Sequence, residues 1–87
     1  MEIEFDPEKD AANIAKHGLS LSDAGMLNLP EAAVIADERN DYGEIRYRAF
    51  GRIEGEGYCL AFTLRGTVLR PISFRRAHEK EIKRHGK

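Results

Sequence analysis

Residues 44–74, "EIRYRAFGRIEGEGYCLAFTLRGTVLRPISF", decide the fold because they read as consecutive strands joined by short turns. Apolar and polar side chains alternate over 44–53, which is the period of a half-buried strand. This alternation leaves Arg46 and Arg48 on one face of the strand. Gly51 interrupts the pattern, and we expect a bulge there.

Two turns divide the rest of this stretch. The "EGEG" at 54–57 and the "RG" at 65–66 are typical of hairpin connections. We therefore predict further strands over 58–65 and 67–74, which makes an antiparallel meander. Pro71 cannot donate a backbone hydrogen bond, so its strand lies at a sheet edge or is bulged at that point.

The N-terminal part of the chain predicts an edge strand followed by a helix. A short alternating segment covers 2–5, and Asp6 then caps a helix over 7–17 that begins with proline and ends at Gly18. The apolar residues spaced three and four apart are expected to form its buried side: Ala11, Ile14 and Ala15.

The middle segment changes from a helical pattern to a strand pattern. Ser20 and Asp23 have a spacing like that of a capping box and predict a short helix over 20–28, which ends near Pro30. The apolar run at 32–37 is short enough for a buried strand.

A turn-rich loop at 38–43 and a final helix complete the predicted layout. Ser73 is the expected N-cap of that helix, which covers 75–84. The element order is then β-α-α-β-β-β-β-α, an α+β fold, and the length suits one domain over 1–87.

Composition bounds the function classes. The chain has 41% hydrophobic and 33% charged residues, which is typical of a globular fold. Cys59 is the one cysteine, so we expect no internal disulfide and assign Cys59 to the interior of a strand. No apolar run approaches the roughly 20 residues of a membrane span, and the acidic start is unlike a signal peptide. These features predict a cytoplasmic location.

Positive charge is concentrated at one end of the sequence. Residues 65–87 contain eight Lys or Arg against two carboxylates, a balance of +6, whereas residues 1–64 contain six against thirteen, a balance of −7. Along the predicted final helix, cations recur every three or four residues: Arg76, Lys80, Lys83 or Arg84, and Lys87. Cations near a helix C-terminus in a solvated helix would explain this pattern, and a surface that binds a polyanion such as RNA is the alternative.

Arginines on the strands favour phosphate binding, because a guanidinium group offers paired donors and stays charged. The strand arginines are Arg46, Arg48, Arg65 and Arg70. RNA scission also needs a base for the 2′-hydroxyl and an acid for the departing 5′-oxygen. Four side chains could supply these roles: His17, His78, Glu79 and Glu81. Each glutamate could instead form an ion pair within the helix, and Lys16 with His17 could simply stabilise a helix end.

A metal site fits the sequence poorly. The three histidines, His17, His78 and His85, lack the tight spacing of metal ligands, and the carboxylates do not cluster as in a two-metal nuclease. Phosphate-loop and dinucleotide-binding fingerprints are also absent. We predict neither a metal nor a cofactor.

Three stretches, taken together and in this order, resemble the BrnT family of type II toxins. They are "EFDPEKDAANIAKHG" at 4–18, "GEIRYRAFGR" at 43–52 and "LRGTVLRPISFRRAHEKE" at 64–81. The positions that carry the resemblance are Asp6, Pro7, Lys9, Asn13, Lys16, His17, Gly18, Arg46, Tyr47, Gly51, Arg70, Ile72, Ser73, Arg75, Ala77 and Glu81.

The resemblance implies a RelE-like fold and a metal-independent ribonuclease that cuts RNA and so inhibits translation and growth. It also implies a BrnA-like antitoxin that blocks the toxin and brings the complex to operator DNA. On this hypothesis Arg70 and Arg75 stabilise the scissile phosphate, with Glu81 or His17 in proton transfer. The residues expected to bind flanking phosphates are Lys16, Arg46, Arg65 and Arg76. The alternative is a non-catalytic module whose basic surface binds nucleic acid or an acidic protein.

Overall fold

The computed structural model describes residues 2–39 and 43–85. The strands are β1 (Glu2–Ile3), β2 (Ala33–Ala36), β3 (Tyr47–Ile53), β4 (Glu56–Arg65) and β5 (Val68–Arg76). The α-helices are α1 (Pro7–His17) and α2 (Glu79–His85), and the 3-10 helices are Leu21–Met26 and Leu29–Glu31. The predicted loop at 38–43 lies partly, and Lys87 wholly, outside the described residues.

The strands form one mixed sheet in the order β1-β5-β4-β3-β2. Strands β2 to β5 pair antiparallel, so the predicted meander and the α+β class are confirmed. Strand β1 is an edge strand, as predicted, but it is shorter than 2–5 and pairs parallel to β5. The strand expected at 32–37 is present as β2, but its expected burial is wrong, because β2 forms the other edge and Val34 is 44% exposed.

The antiparallel pairing of β4 with β5 contains one irregularity. Ser73 pairs with Ala61 and Pro71 pairs with Phe62, so Ile72 is an extra residue on β5. The bulge alternative for Pro71 is therefore confirmed. The bulge expected at Gly51 is wrong, because this glycine pairs in register within β3 and β4. A Cβ at Gly51 would lie 2.9 Å from a methyl group of Leu27, so close packing explains the glycine.

Helix α1 begins and ends as its sequence predicts. Asp6 accepts a hydrogen bond from the Glu8 amide at 2.8 Å, and Gly18 ends the helix at φ 73°. The predicted burial of Ala11, Ile14 and Ala15 is wrong: all three are exposed. The buried residue of α1 is Asn13, because the helix lies against the edge of β5 rather than on a broad apolar surface.

The predicted second helix is present in a tighter form. Ser20 caps it, as expected, and accepts a hydrogen bond from the Ser22 amide. It is a 3-10 helix that ends at Met26, and Pro30 lies inside the next 3-10 helix instead of terminating the first. Asp10 of α1 also accepts a hydrogen bond from the Leu21 amide at 2.7 Å, which ties the two segments together.

The final helix starts later than predicted. Strand β5 continues to Arg76, which pairs with Tyr58, so residues 73 to 76 are extended rather than helical. Ser73 is therefore not an N-cap. Arg76 lies in β5 and does not belong to the row of cations predicted along the final helix. The error arose because strand pairing with β4 overrides the local helical pattern. Helix α2 covers only Glu79–His85.

The main core lies between one face of the sheet and the 3-10 helices. We call this side of the sheet the helical face; its buried strand residues are Ala49, Leu60, Phe62, Leu69 and Phe74. A smaller cluster under α2 on the opposite face contains Phe50, Cys59, Ala77 and Ile82, so the predicted interior position of Cys59 is confirmed. Within the described ranges, no helix has the length and apolar character needed to cross a membrane.

Candidate functional site

Arginines line the face of the sheet opposite the main core. Across β3, β4 and β5 this face carries a row formed by Arg48, Ala61 and Ser73. The described arginines that alternation places on it are Arg48, Arg52, Arg65, Arg70 and Arg75, with Arg46 just before β3; we call this side the basic face. Helix α2 packs on one end of the basic face through its small apolar cluster and leaves the remainder open.

The bulge at Ile72 determines which arginines share this face. Regular alternation would place Arg70 and Arg75 on opposite faces, because they are five positions apart, an odd number. The extra residue at Ile72 restores them to one face, where Arg70 pairs with Thr63 and Arg75 pairs with Cys59. The same shift sends Arg76 to the helical face.

Arg75 is held by Glu81 of α2 in a two-pronged ion pair. The Nη1 and Nη2 groups of Arg75 donate to the two carboxylate oxygens at 2.9 and 2.8 Å. Nη1 also donates to the Arg76 carbonyl at 3.1 Å. The hydrogen bonds from Arg75 lower the pKa of Glu81 to about 2, so this carboxylate is ionised at neutral pH. Glu81 therefore fixes the orientation of Arg75.

Other arginines of the basic face also have carboxylate neighbours. Arg70 donates to Glu4 at 2.6 Å, which ties β5 to the segment after β1. Glu44 lies between Arg46 and Arg65, at 3.9 and 4.0 Å. These pairs are partly exposed, so they orient the guanidinium groups while a polyanion could still compete for them.

Arg48 differs from these four arginines. Its guanidinium carbon lies 5.5 Å from the ring centre of Phe50. Its Nε atom is buried and has no hydrogen-bond partner in the described part of the chain. The neighbouring acid Asp37 is engaged by Arg39 at 2.8 Å.

A shallow cleft of about 220 Å³ separates α1 from the edge of β5. Lys16 and His17 line it on the helix side, and Ile72 and Ser73 line it on the strand side. Because Ser73 belongs to the basic face, the cleft opens onto that face. Desolvation, with the charges of Lys16 and Arg75, lowers the pKa of His17, so its imidazole is neutral at pH 7.

Asn13 holds α1 in this position. Its side-chain amide donates to the Phe74 carbonyl at 2.9 Å and accepts from the Phe74 amide at 3.1 Å, as a neighbouring strand would. It also donates to the Leu19 carbonyl at 2.8 Å. Strand β1 is too short to cover this part of β5, so Asn13 satisfies the exposed strand edge and sets where His17 lies.

The structure brings most of the predicted site residues together. Arg46, Arg65, Arg70 and Arg75 share the basic face, and Lys16 and His17 border it across the cleft. Glu81 reaches the face through its ion pair with Arg75.

Three predicted or possible site residues lie elsewhere. Arg76 lies over Tyr58 at 5.3 Å on the helical face and pairs with Glu56, away from the cluster. Glu79 pairs with Arg52 at 2.7 Å and anchors α2 to β3, while the His78 side chain is exposed on the connector.

Sequence reasoning did not select Ser73, or Arg48 individually, as site residues. The alternation of β3 and the position of Ser73 two residues before Arg75 would have signalled both. For metals, the described ranges contain no group of three His, Cys, Asp or Glu side chains close enough to hold an ion.

Comparison with known proteins agrees with this geometry. Residues 5–81 match the family model for the ribonuclease toxin BrnT of type II toxin–antitoxin systems. The chain belongs to the BrnT family. A crystal structure of the Brucella abortus ribonuclease toxin BrnT is similar, with a TM-score of 0.72 and 31% sequence identity. The match covers 90% of this chain and 97% of the Brucella chain. Among curated proteins, none matches.

Membership of the BrnT family assigns a general role to the protein. The protein is a ribonuclease toxin of a type II toxin–antitoxin system, which implies an RNA substrate and an antitoxin protein partner. A BrnT ribonuclease must contact a polyanion, and the basic face with its adjoining cleft is a surface of suitable charge.

Proposed function

We propose that the chain is a metal-independent endoribonuclease that cleaves RNA on its basic face and thereby inhibits translation and growth. The observation that carries the proposal is that Arg70 and Arg75 lie on one face of β5, on either side of Ser73, while His17 lines the cleft that Ser73 borders. We further propose that residues 1–87 form one RelE-like domain that acts in the cytoplasm.

The proposed reaction uses the RNA's own 2′-hydroxyl. Its oxygen attacks the adjacent phosphorus as a base removes its proton, and the bond from phosphorus to the 5′-oxygen breaks. An acid protonates the departing oxygen, which gives one product with a 2′,3′-cyclic phosphate and one with a 5′-hydroxyl. No step requires a metal, provided that cations stabilise the charge that develops on the phosphate oxygens.

Arg70 and Arg75 supply that stabilisation in the proposal. Arg75 donates one Nη1 hydrogen and one Nη2 hydrogen to the Glu81 carboxylate. It donates the other Nη1 hydrogen to the Arg76 carbonyl. Among residues 2–39 and 43–85 no group accepts the Nε hydrogen or the second Nη2 hydrogen, so both can be donated to a phosphate oxygen. An arginine held in advance has less side-chain entropy to lose when the transition state forms.

Proton transfer is assigned to His17 rather than to Glu81. A catalytic base works best when its pKa lies near the working pH, and a carboxylate with a pKa of about 2 is a weak base at neutrality. His17 is neutral there because burial and the charges of Lys16 and Arg75 lower its pKa. Glu81 then acts as the group that positions Arg75.

Flanking phosphates are proposed to contact cations around the centre. Lys16 lies beside His17 on the cleft, while Arg46 and Arg65 lie at the opposite side of the basic face next to Glu44. Several such contacts would give affinity that falls steeply with salt. Arg76 is left out of the proposed site because it packs against Tyr58 on the helical face.

The antitoxin partner is proposed to be BrnA-like. An open surface rich in arginine favours an acidic or helical segment laid across it, which would neutralise the charge and exclude RNA at once. We propose that the toxin–antitoxin complex contacts operator DNA through the antitoxin.

The test is incubation of the purified chain with a defined RNA in the presence of EDTA. We expect cleavage with products that end in a 2′,3′-cyclic phosphate. Arg70→Ala and Arg75→Ala should lower the rate by about 10²-fold or more, as is typical when a group that stabilises transition-state charge is removed. Circular dichroism verifies that each variant is folded.

Arg84→Ala is the matched control, because Arg84 is exposed on α2 and its removal changes the net charge equally. It should cleave at the wild-type rate. Intact RNA that is nevertheless bound would contradict the nuclease and support the non-catalytic docking module. Cleavage that EDTA abolishes would contradict metal independence alone.

A further inference from the structure

Arg48 is the arginine of the basic face that lacks a carboxylate partner. The other five described ones lie within 4.0 Å of a glutamate: Arg46 and Arg65 near Glu44, Arg52 near Glu79, Arg70 near Glu4, and Arg75 near Glu81. For Arg48 no carboxylate lies within that distance among residues 2–39 and 43–85, and its buried Nε has no acceptor. A buried donor without a partner destabilises the protein, so an acceptor from outside is favoured.

The row of the sheet that contains Arg48 continues with two small side chains. Ala61 lies opposite Arg48 on β4, and Ser73 lies opposite Ala61 on β5. Ala61 is the small residue in the middle of the row, and its strand neighbours on this face, Cys59 and Thr63, are buried. Ala61 has the shortest side chain of this row, and we call the space above it, between the side chains of Arg48 and Ser73, the depression.

Cationic and polar groups surround this depression. Directly opposed side chains in a sheet are about 5 Å apart, and diagonal ones about 7–8 Å apart, which long side chains can span. Arg48 and Ser73 are the direct neighbours of Ala61, and Arg75 is a diagonal neighbour. Arg70 pairs with Thr63, the next residue of β4 on this face. A phosphate above Ala61 would be within reach of donors from β3 and β5.

We propose that one phosphate of the RNA binds above Ala61, with Arg48 donating from β3 and Ser73 from β5. This proposal rests on the proposed nuclease function and deepens it, because it fixes where the substrate backbone crosses the sheet. The proposed phosphate position lies between Arg48 on β3 and the cleft beside β5 that His17 lines. Arg48 supplies a positive charge that makes no ion pair within 4.0 Å with a carboxylate of the described residues.

The first measurement is binding of a 2′-O-methyl single-stranded RNA oligonucleotide, which has no free 2′-hydroxyl and cannot be cleaved. Arg48→Ala should weaken its binding by about 10- to 100-fold, as expected for loss of charged hydrogen bonds. The slope of log K against log salt should fall by about 0.7, the value for one phosphate contact on a single strand. Arg84→Ala removes the same charge outside the depression and should leave the affinity within about threefold.

Ala61→Glu tests the location independently of Arg48. The new carboxylate would stand at the floor of the depression, pair with Arg48 and repel a phosphate, so binding and cleavage should both fall by at least tenfold. Ala61→Ser is its matched control, because serine is small and neutral. Arg48→Lys keeps the charge but not the paired donors and should give an intermediate loss.

The outcomes separate the two proposals. If Arg48→Ala binds as Arg84→Ala does, or folded Ala61→Glu binds as wild type does, the phosphate site above Ala61 is overturned even though RNA is cleaved. If the wild type binds unmodified RNA without cleaving it, and these variants lose the binding, the phosphate site is supported and the nuclease function is overturned. A wild type that neither binds nor cleaves overturns both.

Discussion

The two faces of the sheet differ in composition and in burial. The helical face is closed by buried apolar side chains from the 3-10 helices and from strands β3, β4 and β5. The basic face is covered only at one end, and its exposed part carries arginines that are oriented mostly by glutamates. The main core therefore lies on one face and the proposed active site on the other, so substitutions should separate into two groups.

The largest expected effect is on the helical face. Phe74→Ala removes a ring that is 1% exposed and should lower the free energy of unfolding by about 3–5 kcal/mol, because a cavity replaces buried apolar contacts. Urea denaturation measures this change. Leu64→Ala, at a residue that is 44% exposed on the same face, should cost less than about 1 kcal/mol. Equal losses in the two variants would contradict the assignment of the core to this face.

The next effect tests the residue that joins the two faces at the edge of β5. Asn13→Ala leaves both backbone groups of Phe74 without their partner and should cost about 2–4 kcal/mol in urea denaturation. Ile14→Ala alters the neighbouring exposed position and should stay within about 0.5 kcal/mol of wild type. If Asn13→Ala were equally mild, water would satisfy the strand edge and Asn13 would not be needed for the placement of α1.

On the basic face the effect should appear in activity. His17→Ala should lower kcat/KM by about 10²-fold while the free energy of unfolding changes little. In the wild type, kcat/KM should fall as pH drops through a pKa below 6.5, because the base must be neutral and burial with nearby cations lowers the pKa of His17. This decrease of kcat/KM at low pH, the acidic limb of the profile, should be absent in His17→Ala.

His85→Ala is the control for that pH profile, because it removes another imidazole, one that stacks on Phe50 under α2 rather than lining the cleft. Its acidic limb should match that of the wild type. A limb that persists in His17→Ala would assign proton transfer to a different group.

The smallest effect concerns the ion pair that attaches α2 to the basic face. The pKa of Glu81 lies near 2 in the folded protein, below the ordinary value of 4.5. Its contribution to stability is therefore fully present above pH 4.5 and is lost as pH falls toward 2. We expect this loss to be about 1 kcal/mol, since the pair is partly exposed. In Glu81→Gln the stability over this pH interval should be flatter; an unchanged slope would place the acid sensitivity at other carboxylates.

Local signals in the sequence predicted the local parts of the fold correctly. Asp6 and Gly18 mark the ends of α1, because helix caps depend on neighbouring residues. The predicted hairpin turn is present at Glu54 and Gly55, which have positive φ angles of 51° and 81°. The boundary at Ser73 was wrong because pairing with β4 keeps that residue extended, whereas its neighbours in sequence favour the start of a helix. Local preference is weak where a full set of strand hydrogen bonds competes with it.

The candidate site was predictable in composition but not in arrangement. Alternation on β3 correctly groups Arg46 with Arg48. On β5 the arrangement depends on Ile72, since one extra residue decides whether Arg70 and Arg75 share a face, and no periodic pattern identifies which residue is extra. The partners of these arginines, Glu4 and Glu81, come from opposite ends of the chain and could not be paired from spacing alone.

The contacts of β5 with the N-terminal segment have a consequence for the order of folding. Asn13 bonds to Phe74 across 61 positions, and Glu4 bonds to Arg70 across 66. Closing such long loops is entropically slow compared with forming the β3–β4 and β4–β5 hairpins, so we expect the hairpins to form first and α1 to dock afterwards. A chain caught before docking would carry the arginines of the site without His17 in place. Nuclease activity should therefore appear in refolding only with the last, slowest phase.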